Sequence, residues 1–123
     1  MMAQFERYPE ERRRSPRISG DGIKLEYFAN GNQASTTKAS VKNICIHGIC
    51  IYMPEVIEAK ETISVNISLP GSKIPIRAQG VVVWYGAGDR LGYYNVGIEF
   101  EKISKEDQKK LSDYIEANLK GPQ

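Results

Sequence analysis

Soft metal ligands are scarce in this sequence: two cysteines and one histidine in 123 residues. That is too thin a supply for a zinc site of the usual Cys/His kind. Cys45 and Cys50 lie in or beside strand-like apolar sequence, where a spacing of five directs side chains to opposite faces. They read as reduced, partly buried thiols, not as a disulfide. Long apolar runs are missing too. No stretch approaches the length of a transmembrane helix, and the first residues lack the apolar segment of a secretory signal. The expected location is therefore the cytoplasm, or at most the periphery of a membrane. The formal net charge is only +2, too small for general nucleic-acid binding. No nucleophile–base pair and no close acidic dyad can be assembled, so neither an enzyme nor a metal or cofactor is expected.

The residues that are present describe an ordinary soluble domain, 41% hydrophobic and 26% charged, long enough to bury a core. Its basic character is local. Arg7, Arg12, Arg13, Arg14 and Arg17 all fall in the first seventeen residues, four of them within "ERRRSPRI". No core needs such a cluster, because guanidinium groups are almost never buried without partners. Residues 1–20, broken by Pro9, Pro16 and Gly20, read as a flexible basic arm, and residues 21–120 as the folded domain.

Beyond the arm the apolar period becomes two. Ile23, Leu25 and Tyr27 alternate with Lys24, Glu26 and Phe28, and "NGNQ" follows as a hairpin turn. Strands are expected over Thr36–Ile44, Gly48–Met53, Thr62–Leu69, Ile74–Tyr85 and Tyr93–Glu101, hinged or joined by short turns. None of the long crossovers that parallel pairing requires is present. The period turns helical only near the end, over about 104–119. Ser104 is a good N-cap, Glu106 and Asp107 suit the positive end of the helix dipole, and Leu111, Tyr114, Ile115 and Leu119 share one face. The fold class is all-β with a terminal helix: a six-stranded antiparallel barrel carrying a C-terminal amphipathic helix.

Three features occur in order along this plan. The arm holds Arg13-x-x-x-Arg17, the second strand ends in Asn43-x-Cys45-x-x-Gly48, and "VGIEF" (Val96–Phe100) precedes the helix. Together they resemble the PilZ domain family, over about Arg12 to Leu119. The resemblance implies a split, Greek-key type of six-stranded barrel and a bacterial receptor for cyclic di-GMP, in motility or biofilm regulation. It implies that Arg13, Arg17, Asn43, Cys45 and Gly48 bind the ligand. Arg12 and Arg14 stand as accessory contacts, Arg12 at a position that accompanies an intercalated pair of ligand molecules. Arginine suits the task because it forks onto phosphate, matches guanine O6 and N7, and stacks flat on a base.

Cys45 departs from the family pattern, which has serine there. A thiol is a weaker donor and acceptor, and one lost hydrogen bond costs about 0.5–1.5 kcal/mol. His47 reads as a solvated turn residue. Trp84, Tyr85, Tyr93 and Tyr94 read as core or cross-strand partners. The favoured function is a cyclic di-GMP receptor that couples binding to arm rearrangement and to an unidentified protein partner, as a monomer or weak dimer. One alternative is a PilZ-like interaction module that binds no nucleotide. Another is a barrel whose basic arm meets nucleic acid or anionic membrane, and a flavin-binding split barrel is a remote fourth.

Overall fold

Alternating apolar residues bury one face of each strand, and here that face is the inside of a closed sheet. A computed structural model describes residues 16–29, 36–54, 61–88 and 90–120. Among them are β1 (Ile18–Ser19), β2 (Lys24–Ala29), β3 (Thr37–Cys45) and β4 (Gly48–Met53). The chain continues through β5 (Thr62–Ser68), β6 (Ile76–Ala87), β7 (Tyr94–Ile103) and the helix α1 (Lys105–Lys120). All pairings are antiparallel, in the order β1-β3-β2-β5-β6-β7-β4, and a further β3–β4 pairing closes the six longer strands into a ring. The expected six-stranded barrel with its terminal helix is thus present, with β1 as an added strand. Closure removes the free edges that make open sheets prone to association.

β1 lies at the end of the segment read as arm. It pairs Ile18 with Ile44 and Ser19 with Asn43, along the β3 edge that β2 covers only from Thr37 to Ser40. Arg12, Arg13 and Arg14, and the turn "NGNQ", fall outside the described residues.

The interior is filled from every strand, with Tyr27, Ile44, Ile51, Met53, Ile63 and Ile98 among its fully buried side chains. α1 packs on β6 and β1 and adds Leu111 and Ile115 to the same core, each worth about 1.5–3 kcal/mol of burial. Its start is capped as the sequence suggests: the Asp107 amide donates to Ser104 Oγ at 3.0 Å. Asp107 Oδ2 in turn accepts from the Arg77 amide at 3.1 Å, fastening the first turn to β6. Leu119 does not join the buried face. It is 45% exposed, one turn beyond the buried Ile115.

Three irregularities break the ladders. β3 carries an extra residue between Val41 and Asn43, and β6 shifts register against β7 between Gln79 and Gly80 and between Val82 and Trp84. A bulge adds one residue to one strand and so reverses which face the following side chains take. Val41 and Val82 both point into the core. Two residues on, Asn43 and Trp84 would do the same in a regular strand; instead both face outward.

Candidate functional site

β3 and β4 form a hairpin whose tight turn is Ile46–His47, pairing Cys45 with Gly48 and Asn43 with Cys50. Residues directly opposite one another share a face, so Asn43, Cys45, Gly48 and Cys50 all stand on the outside of the barrel. The two thiols therefore share a face, against the expectation from their spacing, because a turn and not a continuous strand separates them. Both are buried, and neither forms a disulfide.

The pairing continues around the barrel in rows. Cys50 is opposite Gly97 and Gly97 opposite Trp84, giving Asn43–Cys50–Gly97–Trp84 across four strands. The next row runs Cys45–Gly48–Glu99–Val81. Extending the β1 register by one residue puts Arg17 level with Cys45. Between these rows lies a recess of about 60 Å³, lined by Arg17, Asn43, Cys45, His47, Gly48, Cys50, Trp84, Gly97 and Glu99, with Ile49 and Ile98 behind.

Two glycines shape its floor. A Cβ at Gly48 would fall onto the carbonyl oxygen of Ile98, backbone that cannot yield. Gly48 is needed for that close approach of β4 to β7, not for an unusual dihedral. A Cβ at Gly97 would stand 2.8 Å from Trp84 Cδ1, and nearer still to Nε1 and Cε2. The indole thus lies across Gly97, filling the space a side chain would take.

Of the residues named from sequence, Arg17, Asn43, Cys45 and Gly48 come together here, with Arg17 exposed at the rim. Arg12, Arg13 and Arg14 lie outside the described residues. His47 is an exposed turn residue whose carbonyl accepts from the Phe100 amide at 2.9 Å. Sequence reasoning missed Trp84, Cys50 and Glu99. The signal for Trp84 was the glycine of "VGIEF", the small residue opposite a large one. Tyr85, Tyr93 and Tyr94 are exposed, at 47%, 41% and 39%; Tyr85 and Tyr94 are cross-strand partners, of Val96 and of Met53 and Ala87, and among the described residues the buried tyrosine is Tyr27.

One row further along the same outer face stand Tyr52, Asn95 and Gly86. The Arg90 guanidinium lies over the Tyr52 ring, 4.3 Å from its centre, and 5.8 Å from that of Tyr93. Beside Gly88, Asn95 Oδ1 is buried with no hydrogen-bond partner among the described residues, a condition that costs about 1–3 kcal/mol.

Among the described residues no group of three or more His, Cys, Asp or Glu side chains could hold a metal ion, and no helix is long and apolar enough to cross a membrane. Chemically the recess offers a guanidinium, a stacking ring, an amide and a carboxylate around small, tightly packed backbone. It suits a flat, hydrogen-bonding anion that lies over it.

The family model of the PilZ domain matches residues 11–117. No curated protein matches the sequence. Among solved structures, the Bacillus subtilis inhibitor of motility MotI/DgrA is similar at TM-score 0.74 and 16% identity, over 89% of this chain and 52% of that one. The K. pneumonia MrkH–c-di-GMP complex is similar at 0.68 and 16%, over 86% and 51%. The chain thus spans about half the length of these two proteins. The PilZ domain of Escherichia coli YcgR with c-di-GMP is matched over 89% of this chain and 96% of that domain, at 0.63 and 14%. At such identities the likeness is one of fold. A family match across arm, barrel and helix, joined to the barrel itself, means that the chain belongs to the PilZ domain family.

Proposed function

We propose that this protein is a non-enzymatic cyclic di-GMP receptor acting in the cytoplasm, as a monomer or weak dimer. Ligand binding rearranges its N-terminal arm and changes the surface offered to a protein partner. The observation that carries this reading is the convergence of Arg17, Asn43, Cys45 and Gly48 on one recess. Two of the similar structures, MrkH and the YcgR PilZ domain, are complexes with this nucleotide.

The recess holds about 60 Å³, far below the roughly 300–1,000 Å³ of a pocket that encloses a drug-sized ligand. A dinucleotide must therefore lie over it and be covered from above. In this reading residues 1–20 are the arm and residues 21–120 the receptor body. Arg13 and Arg17 clamp the phosphates and a guanine, with Arg12 and Arg14 as accessory contacts. Trp84 supplies a stacking face. Asn43 keeps one acceptor oxygen where a carboxylate would have two, and Glu99 adds an acceptor-only group able to take guanine N–H donors. Cys45 lowers affinity by the hydrogen bond that a hydroxyl would have made.

Calorimetric titration with cyclic di-GMP, against GTP and cyclic di-AMP, tests the reading. Selective saturable binding supports it. Absence of binding favours the nucleotide-independent interaction module, for which Cys45 in place of serine is the specific observation. Steep salt dependence without guanine selectivity would instead mark the basic arm as a binder of nucleic acid or anionic membrane.

A further inference from the structure

The row Tyr52–Asn95–Gly86 is two residues along each strand from Cys50–Gly97–Trp84, about 6.5–7 Å away on the same face. Gly88 and Arg90 lie against it. Gly88 passes so close that a Cβ there would stand 3.2 Å from Asn95 Oδ1, and Arg90 occupies the ring face of Tyr52. The covered state is thus satisfied at the ring and unsatisfied at the amide, since Asn95 Oδ1 accepts nothing among the described residues. A ligand that stacks on Tyr52 and donates an N–H to Asn95 would satisfy both. Guanine does so through its N1–H and N2–H edge, whereas a phosphate or an aliphatic group does neither.

We propose that Tyr52 and Asn95 form a second guanine subsite, held shut by Arg90, which occupies the stacking position until a base displaces it. The inference deepens the receptor reading and rests on it for the identity of the base. Arg90 is then a built-in competitor: swinging its side chain aside gives up the cation–π contact and opens a stacking face one row from the recess. Two guanines on one rigid face, at Trp84 and at Tyr52, match a ligand that carries two.

The test follows the Asn95 side-chain amide and the Tyr52 ring by NMR in the full chain, titrated with GMP. The background is Trp84→Ala, which removes the neighbouring platform. Saturable shifts at both groups are expected. Arg90→Ala should tighten GMP binding by about two- to fivefold, and Tyr52→Leu, which keeps apolar packing, should abolish the Asn95 shift. Unshifted Asn95 and Tyr52 resonances, with Arg90 and with alanine there, overturn the subsite whatever cyclic di-GMP does. Weaker GMP binding in Arg90→Ala also overturns it, because Arg90 would then be a ligand contact and not the occupant. GMP shifts at Asn95 in a protein that fails to bind cyclic di-GMP support the subsite and count against the receptor reading.

Discussion

Replacing Gly97 by alanine puts one methyl group where the Trp84 indole now lies. That carbon would stand 2.8 Å from Cδ1 and closer to Nε1 and Cε2, so the ring must leave its position across the recess. Two effects on stability oppose each other. Alanine restricts the unfolded chain, worth about 0.4–1 kcal/mol, while displacing a packed ring costs about 1–3 kcal/mol. The net loss, about 2.6 kcal/mol at most on these figures, leaves a folded barrel. Ligand affinity should suffer more. A base stacked on an aromatic side chain is worth about 1–3 kcal/mol, so cyclic di-GMP should bind about 5- to 150-fold more weakly. Trp84 is the chain's single tryptophan, so its emission reports the displacement directly and should shift to the red without ligand. Trp84→Ala should lose as much affinity as Gly97→Ala, and the double variant no more, because both remove one platform. Red-shifted emission with unchanged affinity would refute Trp84 as a ligand platform. Unchanged emission would refute the packing argument itself.

Arg17→Ala should weaken cyclic di-GMP binding by about tenfold or more, the loss of one charge-assisted contact, and lysine should restore only part of it; calorimetry that cannot tell wild type from alanine would remove Arg17 from the site. Cys45→Ser should tighten binding by about three- to tenfold, one hydroxyl regained, and a weaker serine variant would show that the site is built around sulfur. Saturating ligand should slow trypsin cleavage after Arg12, Arg13, Arg14 and Arg17 if the arm closes over the recess, and equal rates would count against closure. Ser104→Ala removes the oxygen that caps Asp107 and should cost about 1 kcal/mol, lowering Tm by roughly 3–6 °C without changing ligand affinity.

Much of the barrel was legible because its strands obey a period of two and its helix announces itself with Ser104, Leu111 and Ile115. The site was less so, for two physical reasons. Cys45 and Cys50 look like opposite-facing residues of one strand until a turn is placed between them. Trp84 looks like a core residue because it stands two after the buried Val82, and only the bulge between them turns it outward. Asn43 hides in the same way behind Val41, and only its place in a motif singles it out as a candidate. Tyr85 and Tyr94 are the cross-strand partners their alternation suggests, opposite Val96 and Met53, and their exposure is what local alternation does not show. Leu119 keeps helical spacing, yet periodicity alone does not show how much of that face is covered, and it is 45% exposed.

β1 is two residues long, yet it sets the length of the leash on the arginine arm. Ile18 and Ser19 are zipped to Ile44 and Asn43, which holds Arg17 beside the recess. Arg13 is four residues away, and a chain spans at most about 3.3–3.6 Å per residue, so its α-carbon stays within roughly 14 Å of that of Arg17. Two groups linked over so short a span meet a common ligand at effective concentrations in the millimolar range or so. In the receptor reading, once Arg17 touches a nucleotide the remaining arginines would meet it as an intramolecular step, and their individual affinities would multiply. The same geometry gives a partner protein leverage. In that reading, peeling two residues of β1 from β3 would lengthen the tether, dilute the arginines around the recess and weaken nucleotide binding, without touching any residue proposed to contact the ligand.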